Sequence, residues 1–129
     1  MDACENELIV EQNSLTSPIF RCTIAELAHD IAGYYLLEKH SLSEWELDAF
    51  FIDPPYIGQG IGRQLIEHAK SAAASLGANR ILIQSDPNAA GFYQKFGGRL
   101  LNVRESDSIS GRYLPVFSID VSGHHKYEL

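Results

Sequence analysis

Cysteine is nearly absent from this 129-residue chain: Cys4 and Cys22 are its only two. They match neither a metal-ligand spacing nor a disulfide framework, so a reducing cytoplasm is the expected setting. Basic residues are also scarce, ten Lys and Arg against seventeen Asp and Glu, for a formal net charge of −7. An acidic surface repels phosphate backbones, which argues against nucleic-acid partners and favours cationic small molecules. No apolar run approaches the ~20 residues needed to cross a bilayer, so no membrane partner is expected. The opening Met1-Asp2-Ala3-Cys4-Glu5 lacks the basic-then-apolar order of a secretory leader. The five histidines never fall at metal spacing on one element, so no metal site is expected.

What is present reads as one packed domain. Apolar residues make up 45% of the chain and charged residues 21%, ordinary values for a globular core. Residues 1–17 are polar, with at most one short strand near Leu8-Ile9-Val10. The domain proper is read as 18–121 and a C-terminal tail as 122–129. Ile19 to Glu26, Ile31 to Glu38 and Trp45 to Ile52 read as strands, the first two joined by a turn at Leu27-Ala28-His29-Asp30. Asp53-Pro54-Pro55 ends the third. The period then changes. Ile61, Leu65, Ala69, Ala72, Ala73 and Leu76 share one helical face, and Gly77 suits the helix end. Ile81-Leu82-Ile83 is a short buried strand, and Asp86-Pro87 caps a second helix bearing Ala89, Phe92, Tyr93 and Phe96. Leu100 to Val103 and Tyr113 to Val121 close the chain as strands around a polar loop from Glu105 to Gly111. This order predicts an α/β (α+β) fold, a single mixed, mostly antiparallel sheet flanked by helices.

Between the third strand and the first helix lies Tyr56-Ile57-Gly58-Gln59-Gly60-Ile61-Gly62-Arg63. Glycines let a backbone approach a ligand and take positive φ. The first amides of a helix have no internal partner, and the helix dipole adds positive potential there. Together these make a phosphate seat that needs no basic patch. The spacing G-x-G-x-G is neither the dinucleotide fingerprint nor a P-loop. A glycine-rich turn without a ligand is the competing reading.

From about Ile31 to Pro115 the chain resembles the GNAT superfamily of N-acetyltransferases. The resemblance rests on Gly33-Tyr34-Tyr35, on Glu46, on Ile52-Asp53-Pro54 and on the Gly58-to-Gly62 turn with its helix. It also rests on Asn88-Ala89-Ala90-Gly91-Phe92-Tyr93-Gln94-Lys95-Phe96-Gly97 and on Ser110-Gly111-Arg112-Tyr113-Leu114-Pro115. The resemblance implies transfer of an acetyl group from acetyl-CoA to a primary amine of a small molecule or peptide. Phe51 and Ile52 would offer backbone to the pantetheine arm. The amides from Ile57 to Arg63, thus of Ile57, Gly58, Gln59, Gly60, Gly62 and Arg63, would hold the pyrophosphate. Asn88 would bond the cofactor arm, Tyr93 would stand near the thioester sulfur, and Glu46 would act as general base. An acyl-CoA-binding regulatory module without turnover is the alternative.

The chain departs from the pattern in three places. Ile57 stands where Arg or Gln is commoner, and Gly98 replaces an apolar residue, which reads as a lost packing contact. The N-terminal region lacks the pair of helices that walls the acceptor site, so either the member is short or a second chain, in a homodimer, completes it. Single residues keep two readings each. Tyr93 is a general acid or a core aromatic. Glu46 shares a strand face with Asp48 and is a base or part of a solvated face, with Glu44 a rival.

Overall fold

The computed structural model describes residues 9–13, 18–106 and 110–122. Among these residues seven strands form one sheet: β1 (Ile9–Asn13), β2 (Phe20–Leu27), β3 (Asp30–Lys39), β4 (Glu44–Ile52), β5 (Arg80–Gln84), β6 (Gly98–Glu105) and β7 (Tyr113–Asp120). Their order is β1-β2-β3-β4-β5-β7-β6, and only the β4–β5 pair is parallel. The mixed sheet is the architecture expected. The strand expected near Leu8-Ile9-Val10 runs from Ile9 to Asn13 and pairs with β2. Leu8, the rest of the N-terminal segment to position 17, the loop positions 107–109 and the tail from Gly123 lie outside the described residues.

The β2–β3 turn has Ala28 at φ 54° and His29 at φ 70°. Positive φ at both central residues gives the backbone twist that a two-residue hairpin needs. No glycine marks it, so the strain is borne by the long ladders on either side.

Helix α1 (Ile61–Ser75) lays Ile61, Leu65, Ile66, Ala69, Ala73 and Ala74 on the sheet, all buried. Ala72 and Leu76, expected on the same face, are only half-buried at its margin. Against them stand Tyr35, Leu37, Trp45, Leu47, Ile81 and Ile83. Each large apolar side chain buried here contributes roughly 1.5–3 kcal/mol. Gly33 lets α1 come close: a Cβ there would stand 2.5 Å from the Phe51 carbonyl oxygen and 3.1 Å from Leu65 Cδ1. Gly77 takes φ 96° just past the helix end, as its position suggested.

Helix α2 (Ala90–Lys95) is short. Asp86 accepts a 2.8 Å hydrogen bond from the Asn88 N–H, so it caps the 3-10 turn Pro87–Ala89 that precedes α2 rather than α2 itself. Gly98, expected to cost a contact, is required. A Cβ there would lie 2.8 Å from the Tyr93 carbonyl oxygen, so no larger residue fits as β6 leaves the helix.

Both helices cover the face of the sheet that carries Trp45, Phe50 and Phe117. The opposite face, with Glu38, Glu46, Asp48 and Gln84, is lined by neither of them.

Candidate functional site

The parallel pairing between β4 and β5 lasts for three residue pairs, Glu44–Arg80, Trp45–Ile81 and Glu46–Leu82. Beyond Glu46 the strands part. The cause is local: on the β3 side Leu36 pairs with Ala49 and Leu37 with Leu47, which leaves Asp48 as an extra, bulged residue. A bulge bends its strand and re-aims its side chain. The result is a V-shaped opening through the sheet, with Leu47 to Ile52 on one side lacking a β5 partner.

Which β4 groups face the opening follows from alternation. The Asp53 N–H donates to the Ala32 carbonyl at 2.8 Å, so Asp53 and Phe51 turn their backbone toward β3. Phe50 and Ile52 turn theirs to the opening. Of the expected pair, Phe51 thus spends its backbone groups on β3, while Ile52, with Phe50, turns its own to the opening. The Phe51 ring instead packs on Tyr34, centroids 5.6 Å apart.

The wide end of the opening meets the glycine turn. Gly58 and Gly60 have φ of 89° and 84°, and a Cβ at either would meet nothing within 4 Å. Their conformation demands glycine while the space above them is open. Gly62 differs: a Cβ there would lie 3.3 Å from the Phe92 ring, so this glycine serves helix packing. The Ile57 N–H donates to Pro54 at 3.1 Å and the Gln59 N–H to Tyr56 at 3.4 Å. Those two amides are taken, which narrows the expected seat to Gly58, Gly60, Ile61, Gly62 and Arg63. The last three are first-turn amides of α1, which have no partner within the helix.

A cleft of about 420 Å³ opens beside this turn. Ile52, Gly58, Gly60 and Gly62 form its floor, and Phe92 and Phe96 form an apolar wall. Arg63 and Lys95 stand at it as cations. Lys95 belongs to the second-helix motif, but its charge has no meaning until α2 is set against the glycine turn. Ile57 reaches the same cleft with 66% of its surface exposed. Asn88 is exposed, and its backbone N–H is taken by Asp86. The turn, the cleft and the opening suit an elongated ligand with a pyrophosphate at one end, an apolar middle and a narrow tail.

Tyr93 lies on the helix-covered face, 7% exposed, between Phe50 (6.1 Å) and Phe92 (5.3 Å). Burial pushes its hydroxyl up to about 12, so it carries its proton at any physiological pH, while the same shift makes it a weaker acid than a free tyrosine. This burial gives the core-aromatic reading its due, yet leaves the proton in place for an acid role.

On the uncovered face, Glu38, Glu46, Leu47, Asp48, Gln84 and Arg104 line a polar cleft of about 350 Å³ at the apex of the opening. Glu46 is 8% exposed. One of its oxygens lies 3.1 Å from His40 Nε2, and the other accepts from Arg104 Nη1 at 3.1 Å. Arg104 also donates to Gln84 Oε1 at 3.2 Å, so it bridges β4 and β5. Glu44, the rival base, instead pairs with Arg80 at 2.7 Å. His40, Gln84 and Arg104 were not legible as site residues, because they come from three separate elements.

His68, read as a packing residue, stands 2.6 Å by Nδ1 from the Tyr35 hydroxyl, and burial lowers its pKa. No helix among the described residues is long and apolar enough to cross a membrane.

Comparison with known proteins agrees with this geometry. Residues 3–106 match the acetyltransferase (GNAT) domain. The chain is 38% identical over 82 residues to the peptidyl-lysine N-acetyltransferase YjaB of Escherichia coli K12, which covers 64% of this chain and 54% of that protein. It is 40% identical over 67 residues to YjaB of Salmonella typhimurium, over 52% of this chain and 45% of that protein. The chain thus matches about half the length of these curated relatives. The fold matches a GNAT family acetyltransferase from Elizabethkingia anophelis with acetyl-CoA bound, at TM-score 0.75, 16% identity and 88% and 97% coverage of the two chains. It matches a Bacillus subtilis acetyltransferase in complex with CoA equally well, at TM-score 0.75, 20% identity and 88% and 99% coverage. With a family match across most of its length and that family's fold, the chain belongs to the GNAT acetyltransferases.

Proposed function

We propose that this chain transfers an acetyl group from acetyl-CoA to a primary amine, and that the amine is a lysine side chain. The observation that carries this is the coincidence of two features at one place: an amide-rich glycine turn, and a sheet opened by the Asp48 bulge directly beside it. The lysine acceptor is the reaction named for the YjaB relatives. The acidic cleft on the uncovered face suits an ammonium.

Acetyl-CoA supplies an activated thioester. The amides of Gly58, Gly60, Ile61, Gly62 and Arg63, with the Arg63 and Lys95 side chains, hold its pyrophosphate. Ile57 and Gln59 shape that turn, Ile52 and Phe50 present backbone to the pantetheine arm, and Asn88 bonds it. The acceptor enters from the opposite face. It gives up two protons in all: one goes to the carboxylates of β4, among which Glu46 is the candidate the sequence suggests. The amine nitrogen bonds to the acetyl carbon as the carbon–sulfur bond breaks. Tyr93 gives a proton to the departing thiolate and is reprotonated, so one proton is released to solvent per turnover. We place the catalytic unit within 18–121 and the reaction in the cytoplasm, in keeping with the scarcity of cysteine. A second copy of the chain would wall the uncovered face.

The test is thermal shift and turnover with one variant. CoA at ~100 times its Kd should stabilise the protein by ~2.7 kcal/mol. Gly60→Val should abolish that shift, since its side chain would stand in the ligand's path and resist φ 84°. Binding without thiol release from any lysine peptide would favour the regulatory module. No shift with folded protein at millimolar CoA would refute the cofactor.

A further inference from the structure

The bulge that opens the sheet also singles out one carboxylate. We propose that Asp48, not Glu46, takes the proton from the acceptor ammonium, and that Glu46 is a positioning residue that holds Arg104 and His40. The assignment rests on the acetyltransferase reading above and names the base within it.

Glu46 is poorly placed for the role. It is nearly buried, and each of its oxygens already faces a partner at 3.1 Å, His40 on one side and Arg104 on the other. An incoming ammonium would have to displace one of them. Asp48 has the opposite environment. It is exposed, it lines the same cleft, and it is the bulged residue, so its side chain is aimed by the very distortion that parts the strands. Asp48 stands two residues along β4 from the last β4–β5 pair, on the lip of the opening. Tyr93 belongs to the helix-covered face and Asp48 to the other, so the two groups stand on opposite faces of the sheet.

The charges around Asp48 suit proton exchange near neutrality. Glu38 faces it from β3 and Glu46 from β4; Arg104 faces it from β6, while Gln84 on β5 is neutral and His40 lies beyond Glu46. Partial burial, then a hydrogen bond and repulsion from Glu38, then repulsion from Glu46, push the Asp48 carboxyl up to about 7, against a smaller pull from Arg104. A base is most effective when its pKa lies near the working pH. In the step itself, the carboxylate oxygen of Asp48 forms an O–H bond as one ammonium N–H breaks. The freed lone pair then attacks the acetyl carbon, and Asp48 later passes its proton to solvent.

The experiment compares Asp48→Asn and Glu46→Gln, using acetyl-CoA, a lysine-bearing peptide and thiol release across pH ~5.5 to ~9. Asp48→Asn should lower kcat/KM for the peptide by ~10²–10⁴-fold and abolish the rise in rate through pH about 7, with the CoA thermal shift retained. Asp48→Glu should restore part of the rate and the rise. Glu46→Gln should lose rate but keep the rise. If Asp48→Asn keeps the rise and Glu46→Gln removes it, the assignment is overturned while the acetyltransferase reading stands. If wild-type protein binds CoA and acetylates no amine, the reading falls and the assignment with it.

Discussion

A carboxylate held near pH 7 by its neighbours costs the fold stability, and removing it should return that stability. Asp48 has a folded-state pKa of about 7 against an ordinary 3.8. Between those values the folded chain holds a proton that the unfolded chain has lost, so stability falls as pH rises from about 4 to about 7 and stays low above it. Taken at face value, the difference corresponds to roughly 4 kcal/mol. Asp48 is exposed, and solvent screening cuts such terms severely, so about 1 kcal/mol is the working figure. An asparagine side chain in its place cannot ionise and can still donate to Glu38. Asp48→Asn should therefore raise the melting temperature by roughly 3–5 °C at pH ~8. At pH ~5 the gain should shrink to roughly a third, because only that part of the titration window has been crossed. Parallel thermal melts of wild type and variant at pH values from ~5 to ~8 supply the measurement. A gap independent of pH, or a variant less stable than wild type at the alkaline end, would refute the crowded-carboxylate account.

Tyr93→Phe keeps the ring between Phe50 and Phe92, so its melting temperature should change little while kcat falls by ~10²–10⁴-fold with CoA binding intact. A mutant with full kcat would make Tyr93 a packing residue. Glycine substitutions separate two kinds of site. Gly33→Ala should cost about 1–3 kcal/mol or more in urea unfolding, since its Cβ would meet the Phe51 carbonyl at 2.5 Å. Gly91→Ala should stabilise by about 0.5–1 kcal/mol, because it sits in α2 with open space for a Cβ. The reverse ranking would overturn the packing account.

Much of the fold was legible because its elements announce themselves locally. The period change at Ile61, the prolines after Ile52 and the glycine at position 77 each act within a few residues. The turn at Ala28-His29 is legible from the hydrophobic runs on either side, although its positive φ values carry no residue signal. What stayed hidden depended on register. The bulge at Asp48 exists only because Leu36 and Leu37 pair with Ala49 and Leu47. Without it, neither the strand opening nor the roles of Phe50 and Phe51 can be told apart. The same holds for Gly98, whose need for a missing Cβ comes from a carbonyl five residues earlier. Among site residues, the glycine turn was legible as a motif, and Glu46 as an acidic residue on the right strand. Arg104 and His40, which decide what Glu46 can do, lie 58 and 6 residues away from it in sequence.

The three-pair seam between β4 and β5 has a mechanical consequence. It divides the sheet into two plates, β1 to β4 and β5 with β7 and β6, hinged along one short line. From Leu47 to Ile52 the free arm of β4 is on the order of 20 Å long. Rotation of the plates by only ~5° about the seam moves the far end by about 2 Å, close to half the spacing between paired strands. Such a rotation breaks no ladder within either plate. Across the seam the plates are tied instead by α1, which packs on β3, β4 and β5, and by Arg104, which bonds Glu46 and Gln84, so the angle of the opening is set by side chains rather than by a ladder.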